Sequence, residues 1–450
     1  MPKHLPTIKR VAVITLGCKV NQYESAAFLS GFSGREGVEI VPFSQAADVY
    51  VINTCAVTAK AAAQSRQLVR RALKGNRRAR LVVTGCYAQI AAQELLELTE
   101  QPLCIVGNDQ KERLVEVALA EAACDLEMYQ GDLAACTDAA HLPVTQAGER
   151  TRAVLKVQDG CNQFCSYCIV PYARGRSRSV PPSEVLAQAA RFLAQGYREM
   201  VLTGIHLGHY GLDLTPPQPL LSLVEQLLAQ KYPVRYRLSS LEPTEVSREL
   251  LALMAAHPET LMPHLHIPLQ SGDDRILAAM NRHYRGADFA ELIGRCHQLL
   301  PDAAIGVDVL VGFPGEDQAA FARTFALLNE LPVSYLHVFP YSRRPGTKAA
   351  TMPEQVPEGV KKERVARLRE LSEEKRRLFE ARHLGQVRPV LVEKAGQKGA
   401  AGLGHGYTDN YIPVVFEFAG SAPAANTVAL VRLLEPLAGA GAVLGRLKNE

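Results

Sequence analysis

The chain has no apolar run approaching the roughly 20 residues needed to cross a bilayer. Its first residues, MPKHLPTIKRVAVIT, carry neither an apolar signal core nor a small-residue cleavage site, so a cytoplasmic location and no membrane partner are expected. Low-complexity tracts are absent too, and 47% hydrophobic with 21% charged residues is the composition of folded domains. Cysteines are few, 10 in 450 residues, which excludes a disulfide framework and points to metal ligation or burial. A net charge of only +4 carries no argument for nucleic acid. One local absence is sharper: from Lys60 to Arg80 there are eight Lys or Arg and no Asp or Glu. Such a run is either a solvated helix face or a patch facing phosphates.

At this length two or three domains are expected. In the first third, the Val- and Ile-rich runs RVAVITLGC, ADVYVINTC and RARLVVTGC alternate with helix-length segments around 21–32 and 57–74. A further short run, LCIVGN, and a helix after Lys111 follow. This βαβαβ rhythm predicts a parallel-sheet domain over 9–121. Residues 125–150 lack a pattern and read as a linker. Within 147–376, six strand candidates (AVLKVQ, EMVLTG, VRYRLSS, HLHIPLQ, IGVDVLVGF and YLHVFPY) alternate with helical patterns such as SEVLAQAARFLAQ. That spacing predicts a partial (β/α)6 barrel, open at one side. Residues 355–383 predict a long, charge-dense helix, a solvated connector that leaves RNA contact open. Short β runs separated by glycine over 380–447 predict a small antiparallel β-barrel. The fold class is α/β.

The stretch CNQFCSYC places Cys161, Cys165 and Cys168 in one loop at the C-terminal end of a strand, where a β/α barrel builds its function. Thiolates suit zinc or iron–sulfur clusters. Zinc would need a fourth donor from afar, with His206, His209, His264, His266 and Cys296 as possibilities. A ferredoxin-type carrier would place a fourth cysteine in the chain. The third option is a 4Fe-4S cluster with one iron left for a small chelating ligand. Cys18, Cys55 and Cys86 are far apart, yet each ends one of three consecutive strands. Strand C-termini of a parallel sheet share one edge, so these three are expected to converge on a second three-thiolate metal site. Cys104, Cys124, Cys136 and Cys296 show no such pattern and read as structural thiols.

CNQFCSYC, with an aromatic before its last cysteine, resembles the radical S-adenosylmethionine (SAM) enzymes. The strand-end cysteines resemble the N-terminal domain of the methylthiotransferases, and GYTDNYIPV resembles a TRAM domain, an RNA-binding module. TLGCKVNQYES, NTCAVTAKAAAQSRQ, HIPLQSGDDRILAAMNR and LHVFPYSRRPGTKAA are most similar to one branch of that family. It adds a methylthio group to carbon 2 of threonylcarbamoyladenosine beside the anticodon of tRNA. The resemblance implies that Cys161, Cys165 and Cys168 hold a 4Fe-4S cluster whose free iron binds SAM and yields a 5′-deoxyadenosyl radical. It implies that Cys18, Cys55 and Cys86 hold an auxiliary 4Fe-4S cluster carrying the sulfur, with a second SAM as methyl donor. Stripping hydrogen from an aromatic carbon is the cofactor's chemistry, because no side chain is basic enough. The implied partners are the tRNA anticodon stem-loop, an external electron donor and a sulfide source.

The implied SAM contacts are Tyr167, Gln270 and Ser271 after the fourth barrel strand, Asp308 in the fifth, and Thr203 and Gly204 in LTGIHLG. In many radical-SAM enzymes this last motif is Gly-Gly-Glu; here the acid is missing. Arg174, Arg176 and Arg178 are candidates for the SAM carboxylate or tRNA phosphates. VGFPGE is a turn expected close to the cofactor, and Tyr407 and Tyr411 are candidates for base stacking. The alternatives are a methylthiotransferase acting on isopentenyladenosine and a non-catalytic iron–sulfur RNA-binding protein.

Overall fold

The β-branched runs of the first third become a six-stranded parallel sheet, as their alternation with helices requires. A computed structural model describes residues 8–448 apart from 100, 122–125, 147, 149, 399–400, 438 and 440. The sheet is built from β1 (Lys9–Thr15), β2 (Val38–Ile40), β3 (Val49–Thr54), β4 (Arg80–Gly85), β5 (Leu103–Val106) and β6 (Leu126–Tyr129). Between them run α1 (Lys19–Ser33), α2 (Ala59–Gly75), α3 (Cys86–Ile90), α4 (Ala92–Leu96) and α5 (Leu114–Leu119). The spatial order β2-β1-β3-β4-β5-β6 reverses direction between β1 and β3, which opens a crevice at their C-terminal ends. β6 lies in the stretch expected to be a linker: it pairs Leu126 to Tyr129 with Leu103 to Val106 at the sheet edge. Four residues on an edge leave too short a pattern to stand out. Cys124 lies outside the described residues.

The second unit comprises β7 (Ala153–Lys156), a two-residue antiparallel pair β8 (Gln158–Asp159) and β9 (Arg178–Ser179), with α6 (Val170–Arg174) between them, and then α7 (Pro182–Ala194). There follow β10 (Glu199–Thr203), α8 (Leu220–Ala229), β11 (Arg235–Leu238), α9 (Arg248–Ala256), β12 (His264–His266), α10 (Asp274–Ala279), α11 (Gly286–Leu299), β13 (Ala304–Val311), α12 (Gln318–Glu330) and β14 (Tyr335–Pro340). Parallel pairing gives β11-β10-β7 and β12-β13-β14, and the backbone of Tyr236 joins the halves through Thr260 and Met262. Six parallel strands with an open side are the expected partial barrel. The buried face carrying Val11, Val51, Val82, Phe28 and Phe32 is continuous with the barrel core at Leu155 and Val185. Sheet domain and barrel therefore share one apolar interior.

The long helix α13 (Glu358–Arg382) leads to a closed five-stranded barrel of β15 (Val387–Lys398), β16 (Ala401–Thr408), β17 (Pro413–Ala419), β18 (Val428–Leu437) and β19 (Ala442–Leu447). Its pairs are antiparallel except β17 with β19, which closes the ring in parallel. No helix of the described residues is long and apolar enough to cross a membrane.

This small barrel docks on the N-terminal end of the large one. Arg388 pairs with Asp409 at 2.8 Å and with Asp302 at 3.2 Å, and Arg152 pairs with Glu393 at 2.8 Å. Tyr407 and Tyr411 stack on each other, with Arg152 over both rings and Arg237 4.5 Å from the Tyr411 ring centre. The sequence-based expectation of free stacking platforms is corrected here: two arginines and His264 occupy their faces. Tyr411→Ala is expected to loosen the docking by about 2–3 kcal/mol, from lost ring burial and cation–π contacts. Limited proteolysis around residues 383–386 should then accelerate. Unchanged proteolysis with weakened RNA binding would restore the stacking role.

Candidate active site

Gly17 precedes Cys18 with φ +99, and a Cβ there would lie 2.9 Å from Cys55 Cβ and 3.0 Å from its Sγ. Only glycine allows the end of β1 to come this close to the end of β3. Cys18 caps the N-terminus of α1 and Cys86 opens α3, so both thiols sit at the positive ends of helices. Cys55 and Cys86 are buried and Cys18 is exposed. Burial pushes Cys55 up to about 11, with Cys86 and Cys18 adding to the rise, and burial raises Cys86, with Cys18 adding to it. The three strand-end cysteines thus lie together at the crevice between β1 and β3.

The loop that carries Cys161, Cys165 and Cys168 is clamped at its base by the pairing of β8 with β9. Gly160, with φ +74, lets it start against Arg176, whose carbonyl oxygen a Cβ would meet at 1.8 Å. Burial raises Cys165 to about 11 and Cys168 to about 12, with neighbouring thiols adding to both. Burial that penalises bare thiolates is relieved by a cationic group held among them. Among the described residues, the thiols of neither triad close to within 4.8 Å of one another. The group that does lie this close is His206, His209 and Glu245. Of the possible fourth donors, His264 bonds Tyr335, His266 bonds Asp308 and Cys296 is a buried core thiol, which leaves His206 and His209. Two sets of three thiols are the donor chemistry that iron–sulfur clusters take.

His206 is the donor that does arrive. Its Nδ1 lies 3.4 Å from Cys161 Sγ, and its Nε2 lies 2.5 Å from Glu245. Burial lowers its pKa, but these two hydrogen bonds outweigh burial and raise it to about 10. His209 stacks on the same ring at 3.7 Å. Glu242 and Glu245 come from the turn after β11, with Glu242 paired to Arg282. Glu245 of SSLEPTEV thus lies against His206 of LTGIHLG, the motif that lacks its acid. Sequence reading passed over Glu242 and Glu245, although two acids three residues apart at a strand's C-terminal end were the available signal.

The other expected contacts divide. Tyr167 accepts a hydrogen bond from Arg282 at 2.7 Å and sits edge-on to Phe313. The backbone at Gly204 lies against Gln158, and the Thr203 hydroxyl donates to the Val201 carbonyl. Gln270, with φ +65, bridges β13 beside Asp308, whose carboxylate meets His266 Nε2 at 2.8 Å. Ser271 is fully buried, its hydroxyl shared between Thr324 and the Asp273 amide, so it fixes the turn. In VGFPGE, Glu316 is held by the Gly312 amide and Arg364.

Arg174 corrects a reading most clearly. Expected to face a ligand, it is 1% exposed and spans the two domains. It bonds Asp159 at 2.8 Å, Glu24 at 3.0 Å and Asn21 at 2.5 Å, and its Nε lies 3.3 Å from Cys86 Sγ. Lys111 completes the group at 2.5 Å from Glu24. Burial pushes the Glu24 carboxyl up, but Arg174 and Lys111 outweigh it and hold it at about 2. Arg178 is buried as well and donates to the Arg174 carbonyl, whereas Arg176 is exposed. Since α6 follows Cys168 directly, Arg174 physically connects the loop triad to the strand-end triad.

Comparison with known proteins adds to this geometry. The model of the uncharacterised protein family UPF0004 matches residues 10–107, and that of the radical SAM superfamily matches 155–328. The threonylcarbamoyladenosine tRNA methylthiotransferase MtaB of Bacillus subtilis (strain 168) is 39% identical over 417 residues, 90% of each chain. Its counterpart in Aquifex aeolicus is 39% identical over 388 residues, 86% of this chain and 93% of the relative. Among solved structures, the radical SAM methyltransferase TsrM of Kitasatospora setae superposes with a TM-score of 0.57 at 15% identity, covering 76% of this chain and 75% of that one. This last likeness concerns the fold alone.

Proposed function

Because the chain belongs to the MtaB family of radical-SAM tRNA methylthiotransferases, we propose that it adds a methylthio group to carbon 2 of threonylcarbamoyladenosine beside the anticodon of tRNA. The observation that carries this reading is the linkage of two three-thiol sets across one domain interface, through Arg174 on Cys86. One set would supply an oxidising radical and the other a sulfur atom, and the reaction needs both. Cys161, Cys165 and Cys168 would hold a 4Fe-4S cluster with SAM, and Cys18, Cys55 and Cys86 a second cluster. When bound, these groups supply radical formation, sulfur insertion and methyl transfer.

The chain's own residues hold and orient. Glu245 fixes the His206 ring through Nε2, which leaves Nδ1 directed at the Cys161 sulfur. Arg282 spans Glu242 and the Tyr167 hydroxyl and so holds the cysteine loop to the turn after β11. Gln270 and Asp308, adjacent through the β13 bridge, are the reading's candidates for the SAM ribose or carboxylate, with Thr203 and Gly204 offering backbone at the end of β10. An external electron donor and a sulfide source complete the reaction.

Mass spectrometry of tRNA nucleosides from a strain lacking the gene tests the substrate. Methylthio-threonylcarbamoyladenosine should vanish and return on complementation. Loss of the methylthio form of isopentenyladenosine instead would assign the other base. No change in either would refute the activity.

A further inference from the structure

The acid-free segment noted in the sequence forms α2 and runs on to the start of β4, and most of its cations have no ion pair among the described residues. Two of its arginines are used internally: Arg66 contacts Tyr87 and Glu94, and Arg80 makes a two-pronged pair with Glu127. The remaining six, Lys60, Arg70, Arg71, Lys74, Arg77 and Arg78, are exposed, and among the described residues none has an ion pair, although Arg71 lies over the Phe43 ring at 5.8 Å. The contrast with α13 is instructive. That helix is more densely charged but mixes signs and pairs within itself, as Lys361 with Glu358 and Arg376 with Glu373.

Helical periodicity arranges the free cations. Ala62, Ser65, Val69 and Ala72 are the buried face of α2. Opposite them, Lys60, Gln67, Arg71 and Lys74 fall along one line, with Arg70 flanking it. From Lys60 to Lys74 this line is about 21 Å long at 1.5 Å per residue. Arg77 and Arg78 follow just past the end of the helix. Its beginning is at the candidate site: α2 starts four residues after Cys55, and the Ala59 amide donates to Ser342 Oγ at 3.0 Å, on the segment following β14. The positive end of the helix therefore faces the mouth shared by sheet domain and barrel, and the cations lead outward from it.

We propose that this face of α2 is a track for the RNA backbone, holding the phosphates of the anticodon arm while the modified base enters the site. The inference rests on the tRNA reading above and goes beyond it by assigning a binding surface outside the C-terminal barrel. A row of cations without ion pairs, with Gln67 among them and no large exposed hydrophobic on α2 among the described residues, matches an extended polyanion of regular charge spacing. An acidic protein surface would instead be expected to meet apolar anchors at the centre of its contact.

The test is the salt dependence of tRNA binding by the full-length protein. In Arg70→Gln/Arg71→Gln/Lys74→Gln, the slope of log K against log [salt] should fall by about 2, since each lost phosphate contact removes about 0.7–0.9. Affinity near 0.1 M salt should weaken by on the order of tenfold or more. Arg70→Lys/Arg71→Lys keeps the charges and should keep the slope. These side chains are exposed and lie outside both triads, so SAM cleavage without tRNA should be unaffected. An unchanged slope and affinity in the triple variant, with the unaltered protein binding tRNA normally, overturns the track alone. If the unaltered protein binds no tRNA, the substrate reading falls and the track with it.

Discussion

Replacing Cys161, Cys165 and Cys168 together by alanine is expected to abolish 5′-deoxyadenosine formation and to lower the iron content from about eight to about four per chain. Replacing Cys18, Cys55 and Cys86 should remove the other four, yet leave SAM cleavage by dithionite-reduced protein in place. The asymmetry follows from the architecture. The loop triad is closed within eight residues and braced by β8 and β9, so it can form its site without the other. The strand-end triad depends on the sheet, which the apolar core builds whether or not the thiols are present. Anaerobic reconstitution, iron and sulfide analysis, and chromatography of the SAM products measure both arms. A strand-end variant that keeps all its iron would show that these three cysteines do not hold a cluster.

Arg174→Met is expected to destabilise the junction of sheet domain and barrel by about 3–5 kcal/mol, because it leaves buried carboxylates without their shared cation. Glu24 would retain Lys111, and Asp159 would retain Lys156 at 2.8 Å. The effect has a pH signature. Glu24 is held at about 2 and Asp159 well below its usual value, in each case because arginine and lysine cations outweigh the upward push of burial. Groups depressed in the folded state stabilise it fully above their unfolded pKa and lose that contribution as pH falls through the folded value. The gap between the unaltered protein and the variant should therefore be widest at neutral pH and narrow below about pH 4.5 as the carboxylates protonate. Denaturation midpoints across pH 3–8 read this directly. A gap independent of pH would mean that lost packing, not charge, is responsible. Arg174→Lys should recover only part of the loss, since one ammonium cannot reach Asp159, Glu24 and Asn21 together.

The sequence was most legible where chemistry is local. The spacing of Cys161, Cys165 and Cys168 depends on one loop, and strand periodicity located all six barrel strands. The convergence of Cys18, Cys55 and Cys86 was also readable, because topology alone requires parallel strand ends to share an edge. Side chains whose partners lie in other domains were read wrongly. Arg174 beside a cysteine loop looks like a ligand-facing cation until Glu24, 150 residues away, arrives opposite it. Tyr407 and Tyr411 look like stacking platforms until Arg152 and Arg237 cover them. Glu245 escaped notice because its role exists only beside His206.

By itself the sequence determined the order of domains, the two thiol triads and the acid-free helix, since periodicity and spacing are properties of a chain. Tertiary structure alone decided which charges are buried and paired and which remain free. Pairing needs two groups to be desolvated together within a few ångströms, and residues distant in sequence meet that condition only after the domains have closed on one another.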